Sequence, residues 1–355
     1  ASTFEGDLVT TSGGLSLNGT TFNGKAKLTK TGSTNDQGTG NNIFNDTVTI
    51  TNEGSGYVLM SNTTRDIYNY PASFNSIGNG IVYVAYRGVD TEFNDNVLIN
   101  STGGGGVRIG ASTGTSRITA GKSIQVGSQG FSGGTFMLAN FTSPGTDPQD
   151  FSLTGSSILS IGPSTYFAGD LTATSGGLCF NGVTVDGVSN FTKTGTSSDQ
   201  GTGNNIFNDS VTITNQGSGY VLMSSSTRDV FNSHAGFNSL GNGIIYVAYR
   251  GTDTEFNDNV TINSTGGGGI RIGASTGTSR IAAGKNINVG SIGFSGGLFM
   301  LANYTSPGTS PQNFNFTGSG ILTLGPSTSF AGDVNAECGG ICLSGVIIDG
   351  ASTFI

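Results

Sequence analysis

Four aspartates share one setting. Asp46, Asp95, Asp209 and Asp258 each follow an asparagine inside the frame Phe-Asn-Asp-x-Val-x-Ile. Carboxylates repeated at regular intervals are what a calcium array needs, because Ca²⁺ takes about six to eight oxygen ligands. The frame lacks the Gly-Gly-x-Gly-x-Asp pattern of calcium-binding β-rolls. An Asn-Asp pair at a strand start more simply bonds to its own backbone, so no metal is expected. A nucleophilic triad needs a base, and the one histidine, His234, has Pro71 as its counterpart in the preceding copy of the repeat described below. His234 is expected in a loop.

Polysaccharide cleavage needs convergent carboxylates, or a carboxylate beside a basic group. Arg87, Asp90 and Glu92, and again Arg250, Asp253 and Glu255, offer those residue types in Arg-Gly-x-Asp-x-Glu turns. They read as solvated charge clusters. Cys179 and Cys342 stand where the first copy has Ser16, and Cys338 precedes Cys342 in Cys-Gly-Gly-Ile-Cys. All three read as small residues at tolerant positions, with a Cys338–Cys342 or interchain disulfide as the alternative. Thr47-Val48-Thr49 and Ser210-Val211-Thr212 are too isolated to form an ice-binding array. Asp46-Thr47-Val48 and Asp209-Ser210-Val211 match the Asp-Ser/Thr-aliphatic O-glycosylation acceptor, a pattern that equally suits a strand. No catalytic, cofactor-binding or metal residue is assigned, and no enzyme and no cofactor are expected.

The frame that carries the aspartates is itself the main message. It occupies Phe44 to Ile50 and returns at Phe93, Phe207 and Phe256, alternating apolar and polar residues before running into glycine. That pattern describes a short strand ending in a turn. Phe4-Glu5-Gly6-Asp7-Leu8 matches Phe167-Ala168-Gly169-Asp170-Leu171, and 167 − 4 = 163. A third copy opens at Phe330, again 163 later, and about 120 of the 163 positions are identical between the first two copies. The expected division is 1–3 as the end of a preceding unit, 4–166 and 167–329 as complete units, and 330–355 as the start of a third. Such an array without polar capping segments is expected to be a window from a longer one.

Gly 61 with Pro 7 and only 10% charged residues excludes collagen and argues against disorder. Net charge −8 with scattered Lys and Arg argues against a nucleic-acid partner. No apolar run is long enough to cross a bilayer as a helix, so no membrane insertion is expected. The expected fold is all-β, a parallel β-helix or β-solenoid of about seven coils per unit. Strand-like stretches start near Phe4, Phe22, Phe44, Phe74, Phe93, Ile118 and Phe151. Phe44, Val48 and Ile50 should point inward, beneath Phe93, Val97 and Ile99 on the neighbouring coil. Asn side chains should form ladders at the corners. Gly103 to Gly106 should supply positive φ. The least similar segments, Asn62 to Ser73 and Phe22 to Leu28, are expected to be surface loops.

With its Phe-Asn-Asp-x-Val-x-Ile frames in long Gly/Thr/Asn-rich copies, the chain resembles the giant β-strand-repeat surface proteins of bacteria, those of gliding and predatory filamentous Bacteroidetes above all. The resemblance covers the whole chain, although 163 residues is long for such repeats. It implies secretion to the cell exterior and a role as an adhesin or filament, and it brings no catalytic residues. The expected function is therefore an extracellular, cell-surface shaft serving attachment or cell–cell contact. Its expected partners are identical chains, and glycans or proteins on other cells. The competing expectation is a β-helical lyase or glycosidase.

Overall fold

The computed structural model describes residues 2–355, and among them every regular element is a β-strand. The chain divides into two compact units, Ala1–Ser175 and Gly176–Ile355. In the first unit, one parallel stack begins at Ser2–Phe4 and climbs through Thr20–Phe22, Ile43–Phe44, Ile67–Tyr68 and Thr91–Phe93 to Thr165–Phe167. A second begins at Leu8–Ser12 and climbs through Ala26–Lys30, Val48–Asn52, Ala72–Ser76 and Val97–Ser101 to Leu171–Ser175. A third runs from Val58–Leu59 through Val82–Val84, Gly106–Ile109 and Thr135–Leu138 to Ile158–Ile161. The chain alternates between the first two sheets up to Val48–Asn52, and from Val58 onward it visits all three in turn, one strand in each, before returning to the first. The second unit repeats the arrangement, its three stacks ending at Val346–Ile348, Ser352–Phe354 and Gly340–Leu343. This is an all-parallel, repetitive β architecture of the solenoid type.

Period-two alternation places Phe44, Val48 and Ile50 inside, each fully buried, while Thr47 and Thr49 stay partly exposed. In-register stacking then sets like on like. Phe4, Phe22, Phe44, Tyr68 and Phe93 form a column of near-parallel rings with centroids 5.4, 4.9, 5.0 and 5.1 Å apart. Burying such side chains contributes about 25 cal/mol per Å² of apolar surface. The coil directly above Phe44 carries Tyr68, Ala72 and Phe74, and Phe93, Val97 and Ile99 lie one coil further. The two-residue strand Ile67–Tyr68 is too short to show alternation, so the sequence marks the intervening coil near Phe74 and not at its start. Phe74 and Phe151 likewise belong to the second sheet and do not open coils.

The Tyr68 hydroxyl in this column is buried without a hydrogen-bond partner, and burial pushes its ionisation far above the usual phenol range. The second unit has Phe231 at the same place. Tyr68→Phe is therefore expected to gain about 1 kcal/mol, and Phe231→Tyr to lose about 1–3 kcal/mol, in guanidinium denaturation. A loss of stability in Tyr68→Phe would show that the hydroxyl is satisfied in solution.

Corners are held by polar ladders. Asn45 Nδ2 donates to Asn23 Oδ1, Asn69 to Asn45 and Asn94 to Asn69, at 2.8–2.9 Å, and the Thr119 hydroxyl closes the series. At the next corner Lys30, Asn52 and Ser76 follow one another in register, all buried. Each donates to the carbonyl four residues on, of Thr34, Gly56 and Gly80 respectively. Glycine is needed there for closeness, not for φ. A Cβ on Gly103 would lie 1.9 Å from the Gly78 carbonyl oxygen, and one on Gly78 2.3 Å from that of Glu53. Of Gly103 to Gly106, only Gly106 has a positive φ, +84°.

The segments that differ most between copies are not all loops. Thr20–Phe22 and Ala26–Lys30 are strands, and Phe22 and Leu28 are buried. Their counterparts are Val185 and Phe191, also buried, so a large–small pair becomes a small–large pair. Volume-conserving exchange of this kind is what a packed core tolerates best. Within Asn62 to Ser73, Thr63 to Arg65 are exposed but Asp66 and Tyr68 are buried.

Candidate functional site

The four Asn-Asp aspartates start second-sheet strands. Each bonds the amide that follows it, with Thr47 N donating to Asp46 Oδ1 at 2.6 Å and Asn96 N to Asp95 Oδ1 at 2.8 Å; Asp209 and Asp258 do the same. The cation that meets Asp95 is Lys122, at 2.6 Å, and the one that meets Asp258 is Lys285, at 2.7 Å. These lysine hydrogen bonds hold both carboxyls below their ordinary range. Among the described residues no group of three or more His, Cys, Asp or Glu is placed to hold a metal ion.

Arg87, Asp90 and Glu92 engage different partners. Glu92 Oε1 accepts from Arg65 and from Arg117, both at 2.8 Å, across three successive coils. Asp90, at φ +62°, accepts from the Thr115 hydroxyl, while the Arg87 guanidinium lies over Tyr86, 5.2 Å from the ring centroid. The second unit reproduces each contact with Arg228, Arg280, Glu255, Asp253 and Arg250. His234 lies in a loop before Ala235–Ser239, with Nε2 3.0 Å from the Thr261 hydroxyl. Cys179, Cys338 and Cys342 are free thiols. Cys179 accepts a backbone hydrogen bond from Gln200, as Ser16 does from Gln37, so the thiol substitutes for the hydroxyl. Thr49 lies between Lys27 and Ser73, not in a threonine array.

Two surface features recur in both units. One is an open groove lined by Asp90, Thr115, Arg117, Asn140, Thr142 and Ser164, matched in the second unit by residues 163 further on. Its polar groups are largely engaged in their own turns. The Asn140 amide donates to Gly110 O and Ser112 O at 3.2 Å, and Arg117 is held by Glu92.

The other feature lies on the outer side of the third sheet. Tyr57, Tyr83 and Tyr86 meet edge to face, with centroids 5.5 and 5.1 Å apart. The Arg108 guanidinium, from the next strand, lies 5.7 Å from the Tyr83 ring. In the second unit Tyr220, Tyr246 and Tyr249 repeat this at 5.6 and 5.2 Å, with Arg271 over Tyr246 and Arg250 over Tyr249. There the three rings wall a small hollow floored by Leu222. Sequence reasoning passed over these residues. The available signal was the outward parity of Tyr83 and Arg108 between the buried Val82 and Val84, and Val107 and Ile109. Comparison with family models, with curated proteins and with solved structures finds no match for the chain.

Proposed function

We propose that the chain is a shaft segment of a long extracellular fibre or adhesin, built from 163-residue units of seven coils. The observation that carries this is the position-for-position return of core, ladder and ion-pair contacts 163 residues apart, in sheets whose strands all run parallel. Parallel stacking has no inherent stop, so units add length and stiffness without a new core design. Low charge and polar Thr/Asn faces suit lateral contact between identical chains, and regularly spaced surface features let weak contacts add through effective concentration. Attachment to other cells is the role that fits such a shaft.

Electron microscopy of the native protein on and off its cells tests the reading. Long uniform fibres with an axial repeat of about 34 Å are expected, from seven coils rising about 4.8 Å each. Short compact particles would overturn it.

A further inference from the structure

Of the four tyrosines outside the two clusters, none is kept in the other unit. Tyr68 faces Phe231 in the comparison, Tyr70 faces Ser233, Tyr166 faces Ser329, and Tyr304 faces Phe141. All three cluster tyrosines are kept, and so are both arginines that cover them. Elsewhere the chain uses its arginines differently. Arg65, Arg117, Arg228 and Arg280 each hold a glutamate. Arg87, Arg108, Arg250 and Arg271 form no ion pair among the described residues, and the Nε atoms of Arg108 and Arg271 are covered without an acceptor.

We infer that each tyrosine–arginine cluster is a binding site for a carboxylated sugar, such as a uronate at the end or branch of a surface glycan. The apolar face of a pyranose suits an aromatic wall and a leucine floor, as in the hollow of Tyr220, Tyr246 and Tyr249 over Leu222. The phenol hydroxyls at the rim exchange hydrogen bonds with ring hydroxyls. Arg271 Nη1 reaches the Tyr246 hydroxyl at 3.4 Å, a neutral partner, so a carboxylate supplies the charged, planar acceptor that the guanidiniums lack. The charge of two arginines disfavours a cationic ligand, and a purely apolar ligand would leave their N–H groups desolvated and unpaired. Net charge −8 disfavours long polyanions, which leaves one carboxylate per site as the better match.

The inference gives a ligand class to the adhesive reading above and rests on that reading for its biological setting, but its test does not depend on fibres. The chain has no tryptophan, so tyrosine fluorescence reports on the clusters, which hold six of the eight tyrosines that are not buried. Titration with methyl β-D-glucuronide is expected to give saturable binding, and methyl β-D-glucoside at least tenfold weaker binding. The double variant Arg108→Gln/Arg271→Gln, with unchanged circular dichroism, should lose the preference for the acid sugar. Tyr246→Ala with Tyr83→Ala should weaken both sugars at least fivefold. Absence of saturable glucuronide binding, equal binding of acid and neutral sugars, unchanged affinity in the arginine variant, or equal affinity for an acidic peptide would each overturn the assignment. Fibres without glucuronide binding would leave the shaft standing and remove the site; binding without fibres would do the reverse.

Discussion

Lys30→Met is expected to destabilise its coil by about 3–5 kcal/mol, the cost of stranding a buried carboxylate. Lys30 is wholly buried, and its ammonium donates to Asp36 Oδ1 at 3.0 Å, Thr34 O at 2.6 Å and Gly13 O at 3.1 Å. Those three bonds use every proton the group has. Asp36 also accepts from the Leu15 amide. The pair stands where residues 31–42 form no strand of the third sheet, so it ties an irregular segment to the coil below. Lys193 and Asp199 do the same in the second unit, with side chains 0% and 1% exposed. Adding Asp36→Asn to Lys30→Met removes the stranded charge and keeps an acceptor for Leu15, so the double variant should recover much of the loss. Guanidinium denaturation with hydrogen exchange over residues 26–36 reads both effects. A loss below about 1 kcal/mol in Lys30→Met would refute the argument, because an exposed ion pair contributes no more than that.

That pair shows where the sequence was legible and where it was not. The repetition of the chain, the alternation in Phe44 to Ile50 and the asparagine ladders follow from the sequence, and the strands obey the alternation and carry the ladders. The assignment of strands to three sheets did not follow. A two-residue strand such as Ile67–Tyr68 has no period, and its membership is fixed only by pairing with coils above and below. Lys30 was passed over because lysine is usually solvated. Parity nevertheless pointed inward, since Ala26 and Leu28 are inward, and Lys193 with Asp199 repeats the six-residue offset. The expectation of a positive φ at Gly103 treats the glycine as a local feature, whereas the approach of Gly78 belongs to the stack. The tyrosine clusters escaped because Tyr57, the Tyr83–Tyr86 pair and Arg108 come from three separate coils, and the in-register climb from Leu59 to Tyr83 to Arg108 brings them together.

Acid should stabilise this protein over a range in which most proteins lose stability. Burial is the largest influence on Asp66 and Asp229, and it pushes each carboxyl up to about 6. Asp66 Oδ1 accepts from the Asn42 amide and side chain, and Oδ2 lies 2.6 Å from the Ser61 hydroxyl. Asp229 has the same partners in Asn205 and Ser224. In the unfolded chain these groups titrate near 3.9. Between about pH 4 and 6 the folded state therefore holds protons that the unfolded state has released, and stability falls as pH rises through that window. The full contribution is present below about pH 4 and is gone above about pH 6, on the order of 2–3 kcal/mol for each deeply buried aspartate. Asp95 and Asp258 act in the opposite sense. Their carboxyls are held low by Lys122 and Lys285, so their contribution is present above about pH 4 and lost on further acidification. The midpoint of guanidinium denaturation should therefore rise from pH 7.5 to about pH 4.5 and fall again below pH 4. Asp66→Asn with Asp229→Asn reproduces the neutral carboxyl's shape and keeps an acceptor for Asn42 and Asn205. That variant should be more stable than the parent at pH 7.5 and show a flatter profile between pH 4 and 6. A midpoint that declines steadily from pH 7.5 to 4.5 in the parent would mean that these aspartates are ionised in the fold, held by their asparagine and serine donors against the pull of burial.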